Sequence, residues 1–321
     1  MTINNKLLLT GATGFVGSAL QQSILASEKY DLTMAVRGAI DVSSAVRVVP
    51  VADLTAATDW TDALQGVDVV IHSAARVHVM NDLSTDPLAE FRKVNVDGTL
   101  ALARQAVAAG VKRFVFVSSI KVNGEKTELG SPYSADDRPN PVDPYGVSKH
   151  EAEQALLALA QETGLEVAIV RPVLVYGPGV KANFRNMMKW VSRGVPLPLG
   201  AIHNKRSLVA LDNLVDLILT CAEHPAAVNQ VFLASDGNDL STTQILQQLG
   251  VAMNKPTRLL PVPMSWLGFA FGLLGKRKFS QRLCGSLQVD ITKNQQLLGW
   301  KPSVSVEDAM FKTAKAYLAE S

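Results

Sequence analysis

The sequence predicts a doubly wound α/β fold, in which helices cover both faces of a parallel β-sheet. Short apolar runs with the length of buried strands alternate with longer segments of helical spacing in the first half of the chain. The first run, residues 7–9, leads at once into a glycine-rich turn and a helix. The 321 residues, 47% of them hydrophobic, suffice for this domain and for a smaller C-terminal α/β lobe.

The first turn carries three glycines at three-residue spacing, Gly11, Gly14 and Gly17. A side chain at either of the first two would keep the backbone away from a pyrophosphate, and the third lets the helix approach the strand. The N–H groups of the helix start attract an anion. The turn therefore predicts Rossmann-type dinucleotide binding rather than an ordinary tight turn. We assign cofactor contacts to Gly11, Thr13, Gly14, Phe15, Val16 and Gly17.

The next two predicted strands, residues 32–36 and 46–51, end in charged positions. Arg37 stands near the place where NAD enzymes usually carry an acidic residue for the adenosine ribose. An arginine can instead pair with a 2′-phosphate, which favours NADP(H). NAD(H) stays open, because Arg37 could also be a solvated charge. Asp53, followed by Leu54, could accept from the adenine amino group or cap a helix near Thr55.

Small and hydroxyl side chains follow two further strands. The strand at residues 67–72 runs into Ala74 and Ala75, which leave room for a cofactor across the strand end. The strand at residues 113–117 ends in Ser118 and Ser119, where open parallel sheets bind ligands. Between them, a helix predicted over residues 86–109 contains Asn95, either a satisfied core amide or the anchor of an active-site loop.

A tyrosine and a lysine open the helix that follows a proline-rich loop at residues 131–144. Tyr145 and Lys149 are four residues apart and so share a helix face. An ammonium group beside a phenol stabilises the phenolate and lowers the tyrosine's pKa towards the range of a general acid or base. A tyrosine and a lysine at this spacing are common by chance. The pattern becomes specific only in combination with the glycine-rich turn and the serines at the end of the preceding strand.

Six motifs follow one another along the chain: Thr10-Gly-Ala-Thr-Gly-Phe-Val-Gly17, His72-Ser-Ala-Ala75, Val94-Asn-Val96, Ser118-Ser119, Tyr145-x-x-x-Lys149 and Arg171-Pro172. In this order they resemble the motifs of the extended short-chain dehydrogenases/reductases, and the resemblance covers nearly the whole chain. The resemblance implies catalytic roles for Ser119, Tyr145 and Lys149, with Ser118 as the alternative serine. It also implies cofactor contacts at Ala74, Ala75, Asn95, Ser118, Lys149 and Pro172. No metal ligands are expected.

By the same resemblance, the second half binds a UDP-sugar. The implied substrate contacts are Lys121 in the first half and Asn183, Phe184, Arg206 and Arg282 in the second. Leu174 stands where many nucleotide-sugar members have asparagine, so one sugar contact is missing or replaced. We expect residues 1–173 and about 209–235 to form the dinucleotide-binding domain. Residues of about 174–208 and 236–321 form the nucleotide-sugar lobe, and helices starting near Pro87 and Tyr145 form a homodimer interface.

Charge and composition limit the kinds of binding partner and the cell compartment that we expect. A net charge of +2 gives no bulk attraction to nucleic acid. Cys221 and Cys284 show neither metal-ligand spacing nor a disulfide framework, and no N-terminal signal pattern is present, so we expect a cytoplasmic protein. The apolar segment at 263–278, which ends in three basic residues, predicts a packed helix over the substrate pocket or weak contact with an anionic membrane surface.

Three activities share this catalytic group in the family. Dehydratases add an Asp-Glu pair after the hydroxyl residue, whereas this chain has Ile120 and Lys121, which argues against dehydration. The chain resembles proteins of bacterial surface-polysaccharide synthesis, which include UDP-sugar 4-epimerases and reductases of UDP-4-keto-6-deoxy-N-acetylhexosamines. Because Arg37 favours exchangeable NADPH, we expect the reductase, which acts on the C4 ketone and gives a UDP-N-acetylquinovosamine type of product. The alternative is a UDP-hexose or UDP-N-acetylhexosamine 4-epimerase with tightly bound NAD, which Asn123, in place of a common tyrosine, weakens. A non-catalytic nucleotide-sensing protein is a further alternative.

Overall fold

The computed structural model describes residues 5–38, 46–77, 85–273 and 283–320. Its strands are β1 (Asn5–Thr10), β2 (Tyr30–Val36), β3 (Arg47–Pro50), β4 (Val69–His72), β5 (Arg113–Val117), β6 (Glu166–Pro172), β7 (Leu174–Tyr176), β8 (Leu208–Ala210) and β9 (Gln230–Ala234). Seven form a parallel sheet in the order β3-β2-β1-β4-β5-β6-β9, and β7 pairs with β8 in a second parallel sheet. The predicted fold class is therefore confirmed. The strand order reverses between β1 and β4, the switch point at which such sheets bind ligands.

The helices are α1 (Phe15–Ser27), α2 (Thr61–Leu64), α3 (Pro87–Arg92), α4 (Thr99–Ala108), α5 (Pro144–Thr163), α6 (Ala182–Ser192), α7 (Leu211–Glu223), α8 (Thr242–Ala252), α9 (Met264–Leu273), α10 (Thr292–Leu298) and α11 (Val306–Ala319). The single helix expected over residues 86–109 is instead α3, a π-helical turn over Lys93–Gly98, and α4. Within the described ranges, none of the helices has both the length and the apolarity needed to cross a bilayer.

Two apolar cores enclose the large sheet, one on each face. Leu7 and Leu9 point into the core beneath α1 and α7, whereas Leu8 points into the core beneath α4 and α5. All three side chains are fully buried. Both faces of the sheet are covered, so its strands are apolar runs without polar alternation.

A third core holds the C-terminal lobe together. Side chains of α6, α8 and α11 pack there with Tyr176 of β7 and Leu208 of β8. The boundaries between the two lobes stay a prediction. Within the segment that we assigned to the nucleotide-sugar lobe, the side chains of Leu287, Val289 and Trp300 lie in a core of the large sheet.

Candidate active site

The glycine-rich turn between β1 and α1 is too tightly packed for side chains. Gly11 has a φ of +73°, and a Cβ there would lie 2.7 Å from the backbone nitrogen of Ala74. A Cβ on Gly17 would lie 1.9 Å from the Gly11 carbonyl oxygen. No side chain caps α1 at Gly14, so no side-chain acceptor occupies the N–H groups of the first helical turn. We call the glycine turn and this helix start the glycine cradle. The cradle therefore fits a dinucleotide pyrophosphate held by backbone groups.

The exit of β4 forms the opposite wall of this cradle. Ser73 Oγ donates to the Thr10 carbonyl at 2.7 Å, which ties the exits of β4 and β1 together and presents Ala74 and Ala75. His72, fully buried, hydrogen-bonds through Nδ1 to Thr10 Oγ1 and through Nε2 to Thr99 Oγ1. Burial, followed by the charge of Lys149, lowers the pKa of His72 to about 3. This neutral imidazole joins β1 to α4, a role that the motif beginning at His72 did not predict.

Asn95 anchors the loop that follows β4. Its Oδ1 accepts from the backbone N–H of Arg76 at 2.8 Å, and its Nδ2 donates to the Arg76 carbonyl and to Ser148 Oγ, both at 3.0 Å. Asn95 lies in the π-helical turn, and Gly98 at the end of that turn packs on Leu54, where a Cβ would come within 2.8 Å. The amide of Asn95 thus joins the loop to α5 through protein partners.

Ser119, Tyr145 and Lys149 meet where β5 ends and α5 begins. Asp143 caps α5 by accepting from the N–H of Gly146 at 2.7 Å, and Tyr145 stands in the first helical turn. The hydroxyl of Ser119 lies close enough to the phenol of Tyr145 to lower its pKa. One turn along α5, Lys149 Nζ donates to the Val117 carbonyl at 2.8 Å. The three predicted catalytic side chains therefore cluster at the carboxyl edge of the sheet.

The pKa values of the cluster differ from the expected ones. Burial, reinforced by Asp143, raises the pKa of Tyr145 to about 12, although the hydrogen bond from Ser119 lowers it in part. Burial lowers the pKa of Lys149 to about 7, against the opposing effect of Glu153. Lys149 is not among the groups that shift the pKa of Tyr145, so the expected lowering by Lys149 is not found. The ammonium is occupied by the Val117 carbonyl, and desolvation of the phenol outweighs the other influences.

The two adjacent serines have different partners. Ser118 is buried, and its hydroxyl donates to the Glu153 carboxylate in a short hydrogen bond. Ser119 is half-buried and lies against Tyr145. Ser119 is therefore the more accessible of the two serines and the one beside Tyr145, whereas Ser118 supports the strand end.

Glu153 belongs to a buried ion pair that the sequence analysis missed. Arg171 Nε donates to Glu153 Oε1 at 2.9 Å, and Arg171 Nη2 to Oε2 at 2.5 Å. Arg171 Nη1 also donates to Asn123 Oδ1, so Asn123 serves this internal network. The signal in the sequence was an acidic residue one helical turn after Lys149 on an otherwise apolar helix face.

The predicted substrate contacts are placed unevenly. Asn183 is exposed in the first turn of α6, whereas Phe184 is fully buried and stacks on Tyr176 with ring centroids 5.3 Å apart. Because the whole residue is buried, backbone included, Phe184 offers no exposed atoms to a ligand. Arg206 Nη1 donates to the Gly285 carbonyl, and burial lowers the pKa of this guanidinium. Lys121 pairs with Asp143 and Glu125, and Arg282 lies outside the described residues.

The remaining predicted cofactor contacts lie at the carboxyl ends of strands. Arg37 is exposed directly after β2, and Asp53 is exposed after β3, where its carbonyl accepts from Thr58 Oγ1. Pro172, the last residue of β6, is buried and pairs with Ala234. Among the residues that the structure describes, no group of three or more His, Cys, Asp or Glu side chains is placed to hold a metal ion.

A glycine cradle at the switch point and a Ser–Tyr–Lys cluster at a neighbouring strand end define a nicotinamide-dependent enzyme of the short-chain dehydrogenase/reductase class. More specifically, the chain belongs to the NAD dependent epimerase/dehydratase family, whose family model matches residues 7–234. It is 50% identical over 314 residues to UDP-glucose 4-epimerase of Vibrio cholerae, in an alignment that covers 97% of this chain and 95% of that protein.

Solved structures share the same fold. UDP-glucuronic acid 4-epimerase from Bacillus cereus, in complex with NAD, matches with a TM-score of 0.79 and 21% identity over 98% of this chain and 99% of that chain. RMD from Pseudomonas aeruginosa, complexed with NADPH, matches with a TM-score of 0.72 and 21% identity over the same shares of the two chains. The fold therefore occurs with either dinucleotide.

Proposed function

We propose that the protein interconverts the C4 epimers of a UDP-hexose or a UDP-N-acetylhexosamine and retains a tightly bound NAD(H). The observation that carries the proposal is the 50% identity, over nearly the full length of both chains, to a UDP-glucose 4-epimerase. Reduction of a 4-keto sugar, which the sequence analysis favours, rests mainly on Arg37 and becomes the second candidate.

The three clustered side chains supply the proton chemistry. A bound nicotinamide would supply the hydride acceptor and donor for C4 of the sugar. Tyr145 would accept the proton of the C4 hydroxyl as that carbon is oxidised and return it as the ketone is reduced. Ser119 would hydrogen-bond the same sugar oxygen and stabilise the phenolate of Tyr145. Because the pKa of Tyr145 is about 12 here, the phenol is protonated at neutral pH. This form donates the proton as the ketone is reduced, whereas the phenolate is the form that accepts the proton as C4 is oxidised.

Lys149 would be the third side chain of the site. Its carbonyl partner Val117 and the Phe116 ring, 4.3 Å from Nζ, hold the side chain at the end of β5. From there it would reach the ribose next to the nicotinamide. In the C-terminal lobe, Asn183 and Arg206 would hold the diphosphate of the nucleotide sugar, a role for which a guanidinium is well suited.

Arg37 supports the reductase as a second candidate. Its exposed position after β2 suits a 2′-phosphate, and a reductase must exchange its cofactor after every turnover. Binding of NADPH and NADH to the parent protein and to Arg37→Asp tests this point. A reductase should lose much of its NADPH affinity in the variant, whereas an epimerase that retains NAD should change little.

One pair of assays separates the candidates. The protein is incubated with UDP-glucose and, separately, with UDP-N-acetylglucosamine, and the C4 epimer is followed by proton NMR. In parallel, NADPH absorbance is followed with a UDP-4-keto-6-deoxy-N-acetylhexosamine. Epimer formation without net NADPH loss supports the proposal, and stoichiometric NADPH loss without epimer contradicts it. Tyr145→Phe should abolish either activity, whereas a non-catalytic nucleotide sensor would keep its function in that variant.

A further inference from the structure

Charge is divided unevenly between the two halves of the chain. Residues 1–173 contain 15 Lys and Arg and 20 Asp and Glu, whereas residues 174–321 contain 16 and 9. No acidic residue occurs between Glu166 and Asp212 or between Asp239 and Asp290. The two stretches that build most of the C-terminal lobe therefore carry only positive charge, and the near-neutral total conceals a strongly basic surface.

Part of this charge forms a stripe on the exposed side of α6. Lys181, Arg185, Lys189 and Arg193 recur at four-residue spacing, and all four are exposed, whereas Phe184, Met187 and Met188 face the core. Arg185 pairs with Glu320. Lys189 and Arg193 lie about 9 and about 15 Å along the helix direction from Asn183, at 1.5 Å per residue. These two charges are thus remote from the predicted diphosphate contact.

Exposed apolar side chains occur in the segment that pairs with the chain four residues beyond the end of this stripe. Trp266 is 72% exposed, Leu260 52% and Met264 36%. The chain that follows α6 is joined to the chain that precedes α9, because the N–H of Leu197 donates to the Arg258 carbonyl and the N–H of Leu260 to the Leu197 carbonyl, both at 2.8 Å. Arg258 and Leu260 alternate with the inward-facing Leu259, so both point outward.

The composition of α9 is unusual for a helix on a protein surface. Its sequence, Met-Ser-Trp-Leu-Gly-Phe-Ala-Phe-Gly-Leu, contains no charged residue. Leu267 already anchors the helix in the core of the lobe, yet Trp266 and Met264 point outward. Tryptophan beside leucine and methionine, bordered by lysine and arginine, is the composition of surfaces that insert into the headgroup region of a bilayer.

We propose that Leu260, Met264 and Trp266, together with Lys189, Arg193 and Arg258, form a docking face for an anionic phospholipid bilayer. The apolar side chains enter the interface, and the three cations pair with lipid phosphates. An anionic bilayer is the occupant that fits both components, because a second copy of this chain would set the same cations against each other. The proposal does not rest on the identity of the sugar substrate and goes beyond the proposed epimerase activity.

The test is cosedimentation of the full chain with vesicles at low salt. Vesicles of phosphatidylethanolamine and phosphatidylglycerol are compared with vesicles of phosphatidylcholine. We expect binding to the anionic vesicles, little binding to phosphatidylcholine, and weakening with added salt. The emission of Trp266 should shift to the blue on binding, measured as the difference between the parent and Trp266→Phe. Trp60 and Trp300 are buried already and should contribute little.

Variants locate the face. Trp266→Glu and Leu260→Glu should each lower the partition coefficient on the order of tenfold. The double variant Lys189→Glu/Arg193→Glu should lower it at least about 25-fold, since each basic residue near an anionic leaflet contributes about fivefold. Phe311→Glu and Lys315→Glu are matched controls on α11, also exposed, and should bind as the parent does. All substituted side chains are exposed, so the variants should melt with the parent.

Three outcomes would overturn the proposal. One is failure of the parent to bind anionic vesicles at low salt. Another is binding that the face variants and the α11 controls reduce equally, which would assign it to net charge. The third is a parent mass in solution that falls in Trp266→Glu while no vesicle binding occurs, which would make this face a contact between copies of the chain. Epimerase or reductase activity on a soluble substrate is measured separately and does not enter the decision.

Discussion

Ser119 and Tyr145 lie close together between the end of β5 and the first turn of α5, where the Ser119 hydroxyl lowers the pKa of the Tyr145 phenol. The neighbouring Ser118 turns the other way and donates to the buried carboxylate of Glu153. Ser119 therefore influences the phenol of Tyr145, whereas Ser118 fastens the strand end to the helix.

Substitution of each serine should separate these two roles. Ser119→Ala removes the hydroxyl that lowers the pKa of Tyr145 and that we propose to bind the sugar oxygen, so kcat should fall by about 10² to 10³. Ser118→Ala should keep kcat within a few-fold and reduce the free energy of unfolding by about 1 kcal/mol. Steady-state kinetics and urea unfolding of both variants check this. Equal losses of kcat would contradict the assignment of Ser119.

The buried Lys149 should make stability depend on pH. Its folded-state pKa of about 7 lies below its ordinary value of 10.5, so between these values the unfolded chain binds more protons at this site than the folded chain. Stability should therefore rise with pH in this window. We expect the difference in melting temperature between the parent and Lys149→Met to shift in favour of the parent from neutral pH upward. A pH-independent difference would contradict the prediction.

The comparison should stay below pH 10. Above that value the raised pKa of Tyr145 acts in the opposite direction, because the unfolded chain loses the phenolic proton first.

Loss of the Glu153 charge should be costly because its partner is buried. Glu153→Gln leaves Arg171 uncompensated, and removal of one partner of a buried ion pair typically costs about 3–5 kcal/mol. Glu320→Gln is the matched control, since the Arg185–Glu320 pair is exposed and should be worth less than about 1 kcal/mol. Urea unfolding of both variants measures the difference. Similar small losses would show that the internal network does not depend on the charge.

The glycine cradle predicts a selective loss of cofactor binding. In Gly11→Ala the new Cβ would lie 2.7 Å from the Ala74 nitrogen and would displace the turn that holds the pyrophosphate. Gly110→Ala is the control, because Gly110 also has a positive φ, of +82°, but has open space around it. We expect binding of NADH, followed by its fluorescence, to be lost in Gly11→Ala. The control should bind NADH and lose only about 1 kcal/mol of stability. Loss of binding in both variants would implicate backbone strain instead.

Local chemistry made the scaffold predictable from the sequence. Residues 7–9 are all apolar and are followed by regularly spaced glycines, so both signals lie within a short stretch of sequence. A continuous apolar run is the pattern expected of a strand that is buried on both faces. The four-residue spacing of Tyr145 and Lys149 likewise predicts a shared helix face, and the structure places both on α5.

The finer features depend on contacts between distant segments. The choice between Ser118 and Ser119 is made by Glu153, 35 residues after Ser118, and the pKa of Tyr145 by the burial that the assembled fold imposes. Asn95 lies in the π-helical turn and hydrogen-bonds to Arg76 and Ser148. Helix propensity, which depends on local sequence, could not predict these contacts with distant residues. Phe184 is buried against Tyr176 because the lobe needs an apolar core there.

The proposed epimerase activity is tested most directly with a UDP-hexose that carries deuterium at C4. An epimerase removes the deuteride from C4 and returns it to the same carbon on the opposite face, so the product epimer should retain the label at C4 while added NADP(H) stays unlabelled. Tyr145→Phe should form no epimer. If instead no epimer forms and NADPH is consumed stoichiometrically with a 4-keto sugar, the protein is a reductase and the epimerase proposal is contradicted.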